Sequence, residues 1–223
     1  MKKWLLAALL AATGLVGLSA NAAAQNIPLA LADWQPVTFG GVKPTEFQQT
    51  KTPNGPGIAL KVKNSSSFRV YAFKKPVTIS SISWRMRYSG LPAVPDKNDE
   101  TSKSGDDFVL RVGLITAGDH HGVSIFAPGW IKHMAKILKL PAGKVIYLVA
   151  SRYHTPGSTW PSPYSGHLSY VSVAELKNKK NRHWFDVSYM LPKSTRVVGL
   201  WLMADGDNTH SDFTSVISKL RIQ

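Results

Sequence analysis

The feature that most constrains the fold is a series of short runs rich in Val, Ile, Tyr, Phe and Ser, each bounded by Gly, Pro, Asn or Asp. Such runs predict β-strands, because β-branched and aromatic side chains pack well on a pleated surface and the bounding residues favour turns. Many short strands at this spacing are typical of a sandwich. The sequence therefore predicts an all-β fold, a jelly-roll-like β-sandwich. The runs occupy residues 57–62, 67–73, 78–88, 107–116, 144–152, 168–173, 196–203 and 213–222.

One segment, residues 130–140, has helical spacing instead. Its apolar side chains Ile131, Met134, Ile137 and Leu138 fall on one face, and lysines occupy other positions. This pattern predicts one short amphipathic helix. A basic helix could lie on a membrane surface, but at this length we expect a packed helix that covers the edge of a sheet.

The first 24 residues have the organisation of a secretory signal peptide. Lys2 and Lys3 precede an uncharged apolar stretch that ends at Leu18, and small residues continue to Ala24. The sequence contains no cysteine, which excludes a lipid anchor on cysteine and a disulfide framework. We expect cleavage after Ala24 to leave residues 25–223 as a single β-sandwich domain in the periplasm or outside the cell.

The chain is strongly basic. Its 27 Lys and Arg against 13 Asp and Glu give a formal net charge of +14, and such a charge concentrates a protein near anions such as acidic polysaccharides and lipid headgroups. A solvated, non-binding surface is the alternative interpretation. The basic runs lack the interleaved aromatic residues of a nucleic-acid platform, so no specific nucleic acid is expected. No stretch after the signal approaches the ~20 apolar residues of a membrane span.

Alternation along the strand at 78–88 predicts a core face and an opposite face that carries Arg85 and Arg87. The same parity in the next strand places Asp107 and Arg111 outward. If the two strands share a sheet, these four side chains meet on one face, where Arg suits bidentate recognition of a carboxylate or sulfate and Asp107 orients it. The alternative is that Asp107 forms only a structural salt bridge with an arginine.

Two long polar connections, residues 89–105 and 153–167, are candidate rims of a ligand groove, because loops this long are uncommon unless they are functional or mobile. The second connection holds Trp160 and Tyr164 among prolines. Aromatic rings held on a rigid loop suit stacking on the apolar face of a sugar. They serve equally well as lids over the core.

The segment ADGDNTHSD, residues 204–212, directly follows an apolar strand. Asp205, Asp207, Asn208 and Asp212 offer the hard oxygen ligands that calcium prefers, but the glycine and glutamate of an EF-hand loop are absent. Asn and Gly tolerate positive φ, and Asp side chains cap turn amides. A structural turn without a cofactor is therefore the favoured interpretation, and calcium is the alternative.

Four motifs occur in a fixed order: ISWRMRY, KSGDDFVLRVGLI, WPSPYSG and VVGLWLMADGDNTHSD. Together they resemble the bacterial family called domain of unknown function 3047, over roughly residues 34–222. The resemblance implies a β-sandwich of carbohydrate-binding character and supplies no catalytic residues. Met86 stands where the family usually has a second tryptophan, and residues 130–140 lack the family's aromatic sequence. If that tryptophan contacts a ligand, this member has a changed specificity.

The sequence favours an exported, non-catalytic protein that binds a neutral or anionic polysaccharide or another envelope glycan. The expected ligand contacts are Arg85, Arg87, Asp107, Arg111, Trp160 and Tyr164. The main alternative is a polysaccharide lyase, in which arginine neutralises a uronate carboxylate and Tyr147, Tyr164 or His154 removes the adjacent proton. A structural or protein-interaction module of the envelope is the second alternative. No serine-nucleophile elbow, zinc-protease helix or phosphate loop is present.

Overall fold

The computed structural model describes residues 24–118, 127–176 and 183–223. Apart from Ala24, the expected signal peptide lies outside these residues. The described part contains eleven β-strands: β1 (Gln25–Asn26), β2 (Gln35–Thr38), β3 (Glu46–Thr52), β4 (Gly55–Lys63), β5 (Ser67–Ser89), β6 (Arg111–Ala117), β7 (Ala142–Ser151), β8 (Thr159–Pro161), β9 (Leu168–Glu175), β10 (Phe185–Met203) and β11 (Asp212–Ile222). It also contains helices α1 (Lys97–Glu100) and α2 (Gly129–Leu138), and 3-10 turns at Leu31–Asp33 and Lys103–Gly105.

These strands form one continuous sheet with the order β3-β4-β11-β5-β10-β6-β7-β9-β8, to which β1 adds through β11 and β2 through β5. The described pairs are antiparallel except for β7 and β9, which are parallel. The two longest strands, β5 and β10, pair with each other through both halves of the sheet. At one end of β5 the other neighbour is β11, and at the opposite end it is β2.

The sheet folds over on itself, and the larger hydrophobic core lies between its two halves. Leu60 of β4 and Ile217 of β11 belong to the same buried cluster as Leu148 of β7 and Leu202 of β10. A sheet closed over a shared core in this way is a β-sandwich. The predicted all-β sandwich is confirmed.

A second core covers the outer face of the half that contains β6, β7 and β10. Residues alternate between the two cores, as in β10, where Leu202 faces the first core and Trp201 faces the second. The predicted helix is present as α2, and its Met134 and Leu138 are buried in the second core. Helix α2 therefore packs on a sheet face, and it ends at Lys139, which adopts a left-handed conformation.

Several strand boundaries differ from the sequence-based expectation. The predicted strands at 67–73 and 78–88 are one strand, β5, with irregular register against β10 near its middle. The strand expected from 107 begins only at Arg111, because the amide of Phe108 donates to an aspartate side chain and not to a neighbouring strand. Strands β1, β2, β3 and β8 were not predicted. They are short or polar, and β3 (EFQQTKT) lacks an apolar alternation.

Candidate functional site

A cleft of about 1510 Å³ lies on the α2 side of the sheet. It is larger than the roughly 300–1,000 Å³ of a typical small-molecule pocket, so it has room for an oligomer. Helix α2 contributes Trp130 and a series of lysines to its lining, and the sheet contributes buried Tyr147, Tyr170 and Trp201. A polar cluster at one end is formed by Asp106, Arg111, Ser162, Tyr164, Asp205, Asp207 and Asn208, and the cleft is also lined by Ser66, Ser165 and His167.

Arg111 is the centre of this polar end and is 2% exposed. Its Nε donates to Oδ1 of Asp205 at 3.1 Å, and its Nη1 donates to Oδ2 of Asp106 at 3.3 Å and to the Tyr170 hydroxyl. Its Nη2 donates to Oδ2 of Asp205 and to the backbone carbonyl of Asp106. A guanidinium has five N–H donors, and all five are used here. Arg111 therefore has no donor left for an anionic ligand.

The buried position of this cluster shifts its ionisation. Burial raises the pKa of Asp106 and Asp205, and the nearby Arg111 opposes that shift only in part. For Arg111, burial favours the neutral form, but the two aspartates outweigh it and raise its pKa, so the guanidinium stays charged. Burial also raises the pKa of Tyr147 and Tyr170. Both phenols are therefore protonated at neutral pH.

Asp107 has a different role from the one expected for it. Its Oδ2 accepts hydrogen bonds from the backbone amide and the hydroxyl of Thr209, both at 2.7 Å. Its Oδ1 accepts from the backbone and side-chain amides of Asn208. Asp107 thus holds the turn at residues 207–210 and does not orient an arginine, while burial raises its pKa.

Two carboxylates of the cleft, those of Asp106 and Asp207, each have an oxygen that their neighbours leave unsatisfied. Oδ1 of Asp207 is buried and has no hydrogen-bond partner among the described residues, and the same holds for Oδ1 of Asp106. The other two aspartates of the cluster, Asp107 and Asp205, accept from the turn amides and from Arg111. Asp106 is buried whereas Asp207 is partly exposed, so a hydrogen-bond donor of a ligand would meet the carboxylate of Asp207.

The expected calcium ligands are not gathered as a set. Within the described ranges, the acidic group that could hold a metal is Asp107, Asp205 and Asp207, whose carboxylate oxygens lie within 4.8 Å of one another. Asp212 is exposed at the start of β11, and the side-chain oxygen of Asn208 accepts from Tyr164. Because Asp107 and Asp205 already accept hydrogen bonds at both oxygens, a cation here would compete with Arg111 and the turn amides.

The structure does not bring the predicted arginine face together. Arg85 forms an ion pair with Asp186 at 2.9 Å, and the guanidinium carbon of Arg87 lies 5.3 Å from the centre of the Trp184 ring. Both belong to the part of β5 that pairs with β11, and neither lines the cleft. Arg111 lies on the cleft side of the sheet. The expectation failed because the sheet folds over between these strands.

The two aromatic residues of the loop 153–167 differ in exposure. Trp160 is 8% exposed, and its ring stacks on His154 at 4.2 Å and on Tyr170 at 5.4 Å, so it acts as a lid over the core. Tyr164 is 51% exposed at the cleft. Its hydroxyl donates to Oδ1 of Asn208 and to the carbonyl of Lys103, both at 3.2 Å. The two long loops and the turn therefore meet at this rim.

His154 and the buried tyrosines give the lyase alternative no support. His154 Nδ1 lies 2.6 Å from Oε2 of Glu100, which also accepts from the hydroxyl of Ser151. This group is buried and does not line the cleft. Ser151 and Glu100 face the same ring nitrogen, unlike the opposite nitrogens of a catalytic triad. Burial raises the pKa of Tyr147, whereas a tyrosine that acts as a general base needs a pKa lowered toward the operating pH.

Sequence reasoning missed part of the site. Asp106 was not singled out, although it directly precedes Asp107 in the sequence. Trp130 was not expected at the cleft. Met86 is fully buried in the first core, so the departure from the family's tryptophan at this position concerns packing and not a ligand.

The model of the family described as "Protein of unknown function (DUF3047)" matches residues 32–221. No curated protein matches the chain. Within the described residues, no helix combines the length and apolar character needed to cross a membrane.

Two of the solved structures to which the chain is similar are family 11 carbohydrate-binding modules from Clostridium thermocellum. The first, in complex with a β-1,3-1,4-mixed-linked tetrasaccharide, has a TM-score of 0.46 and 8% identity, covering 89% of this chain and 94% of that chain. The second, from the cellulosomal cellulase Lic26A-Cel5E, has a TM-score of 0.42 and 9% identity, covering 85% and 86%. At these values neither assigns a ligand or a binding residue to this chain.

Proposed function

The chain belongs to the DUF3047 family, and from this premise we propose that it is an exported, non-catalytic protein that binds a glycan chain in the cleft beside helix α2. The observation that carries the proposal is the cleft itself, which combines aromatic rings with a cluster of polar groups at one end. Sugar rings have apolar faces and hydroxyl edges, and a site of this composition matches both.

The aromatic part of the cleft suits stacking. Phe39 and Trp130 are partly exposed and in contact with each other, with ring centres 5.8 Å apart. Tyr164 adds an exposed ring at the polar end. The rings behind them, such as Trp201 stacked on Phe68, fix this wall in place. Partly exposed rings on a fixed support bind a sugar face at low cost in conformational entropy.

A binding role fits the chemistry of the polar end better than catalysis does. The buried tyrosines are protonated, and the only guanidinium in the polar cluster is already hydrogen-bonded to protein at every donor. The arginine that would neutralise a uronate carboxylate in a lyase is therefore not available at this end. Export is proposed from the signal-like residues 1–24 alone.

Glycan binding by residues 25–223 can be tested on an array of neutral and acidic polysaccharides at low and high salt. Trp130→Ala and Tyr164→Ala should each weaken binding about tenfold, the effect of roughly 1.4 kcal/mol. Met190→Ala is the control, because Met190 is 70% exposed and does not line the cleft. Binding to every polyanion that disappears with salt, or equal affinity in all variants, would refute a specific site.

A further inference from the structure

We propose that Asp207 accepts hydrogen bonds from ligand hydroxyls, and that the cleft therefore selects an uncharged sugar at its polar end over a uronate or an amino sugar. This inference rests on the proposed function. It reverses the expectation that arginine recognises an acidic ligand.

The guanidinium donors at the polar end are already occupied by protein groups. Arg111 is the only cation of the cluster and has all five N–H donors bound to Asp106, Asp205 and Tyr170. A ligand carboxylate would have to displace a buried aspartate to reach it. Since a buried charge that loses its partner costs several kcal/mol, such an exchange is unfavourable.

The charges at the polar end also disfavour an acidic ligand. Four aspartates, at positions 106, 107, 205 and 207, surround the single guanidinium, and Asp207 raises the pKa of both Asp106 and Asp107 by repulsion, in addition to their burial. The negative charge of these aspartates therefore opposes the approach of a ligand carboxylate at close range. A carboxylate of the ligand placed against Asp207 would meet like charge, and the guanidinium beside it has no free donor.

The carboxylate of Asp207 is the acceptor for a ligand hydroxyl. Asp207 is partly exposed in the lining of the cleft. Its Oδ1 is buried without a partner among the described residues, so a ligand hydroxyl would reach the carboxylate from the exposed side of the group. The turn that carries Asp207 is fixed by the four hydrogen bonds to Asp107. A carboxylate held in place can accept from adjacent hydroxyls of one sugar, and a charged acceptor makes the stronger hydrogen bond.

The ammonium groups of amino sugars are hydrogen-bond donors as well, but the basic wall of the cleft disfavours them. Lys132, Lys136 and Lys139 of the α2 segment line the same cleft, and the whole chain carries +14. A chain of amino sugars would be repelled along the rest of the cleft. An uncharged sugar chain is compatible with both the acidic end and the basic wall.

The test is calorimetric titration of residues 25–223 with hexasaccharides of equal length. The neutral probes are cellohexaose, laminarihexaose and maltohexaose, the acidic probe is hexagalacturonate, and the cationic probe is the glucosamine hexamer. In high salt, which screens the attraction of the exposed lysines for an acidic chain, the native chain should bind its best neutral hexamer at least tenfold more tightly than either charged hexamer. Asp207→Ala should weaken that binding about tenfold or more, as expected for loss of a hydrogen bond to a charged group.

Asp207→Asn is the more selective variant, because it keeps an oxygen acceptor and removes the charge. It should improve the relative affinity for hexagalacturonate at least threefold. Asp212→Asn is the matched control, since Asp212 is exposed outside the cleft, five residues further along, and it should bind like the native chain. Thermal melting of each variant establishes that it is folded.

The outcomes separate the two proposals. Preference for hexagalacturonate or the glucosamine hexamer, or native affinity in Asp207→Ala, would overturn the role of Asp207 while leaving glycan binding in place. Failure of all five hexamers to bind would overturn glycan binding itself. A neutral preference that is lost in Asp207→Ala and kept in Asp212→Asn would establish the inference.

Discussion

Replacing Arg111 with methionine should be strongly destabilising, because it removes the only positive charge from a group of buried aspartates. The guanidinium pairs with both Asp106 and Asp205, and the exposed fraction of each paired side chain is 3%. Removing one partner of a buried ion pair typically costs about 3–5 kcal/mol. In a chain of this size that loss corresponds to a melting temperature lower by about 6–20 °C.

The cost can be measured by urea unfolding at neutral pH, followed by tryptophan fluorescence. Arg111→Lys should be intermediate, since lysine keeps the charge but has three donors where arginine has five. Adding Asp205→Asn to Arg111→Met should recover part of the loss, because one unpaired charge is then removed. A loss below about 1 kcal/mol in Arg111→Met, or native stability in Arg111→Lys, would show that these hydrogen bonds do not stabilise the fold.

Three further results are expected. Gly113→Ala should lower the free energy of unfolding by about 1–3 kcal/mol, since its new Cβ would lie 2.7 Å from Cβ of Trp201; native stability would contradict this. Burial raises the pKa of Asp106 above its usual 3.8, so the folded state binds the proton more tightly than the unfolded state does. Protonated Asp106 therefore adds to the free energy of unfolding at low pH, and this contribution is lost as the pH rises from about 4 through the raised pKa. Asp106→Asn should flatten the plot of melting temperature against pH in that range. An unchanged slope would show that Asp106 is not the group that titrates there. Glu100→Gln should destabilise the chain by about 1–3 kcal/mol, because the hydrogen bonds to Ser151 and His154 weaken; a smaller change in urea unfolding would rule this out.

The sequence contained enough information for the class of fold and for helix α2, because both depend on local patterns. Alternation in β5 placed Ile82, Trp84 and Met86 in the core, where the structure has them. Spacing in α2 identified Met134 and Leu138 as buried. These are regularities of a single strand or helix, and each can be interpreted without its neighbours.

The candidate site depended on information that local patterns lack. Arg111 and Arg85 have the same parity in their own strands, yet the sheet folds over between them and separates their faces. Asp107 and Asp205 are 98 positions apart, and which of them holds the turn follows only from how two loops meet. Tyr164 was expected at a ligand groove and lies at the cleft, whereas Trp160 from the same loop is buried under it.

The passage of β5 and β10 through both halves of the sandwich has a consequence for how the chain folds. Strand β5 lies between β10 and β11, and β4 also pairs with β11, which ends at Ile222. Strands β4 and β5 therefore have no complete set of sheet partners until β11 has been synthesised. Pairings between such distant segments make folding slow. We expect truncation before Asp212 to prevent folding and not merely to shorten the protein.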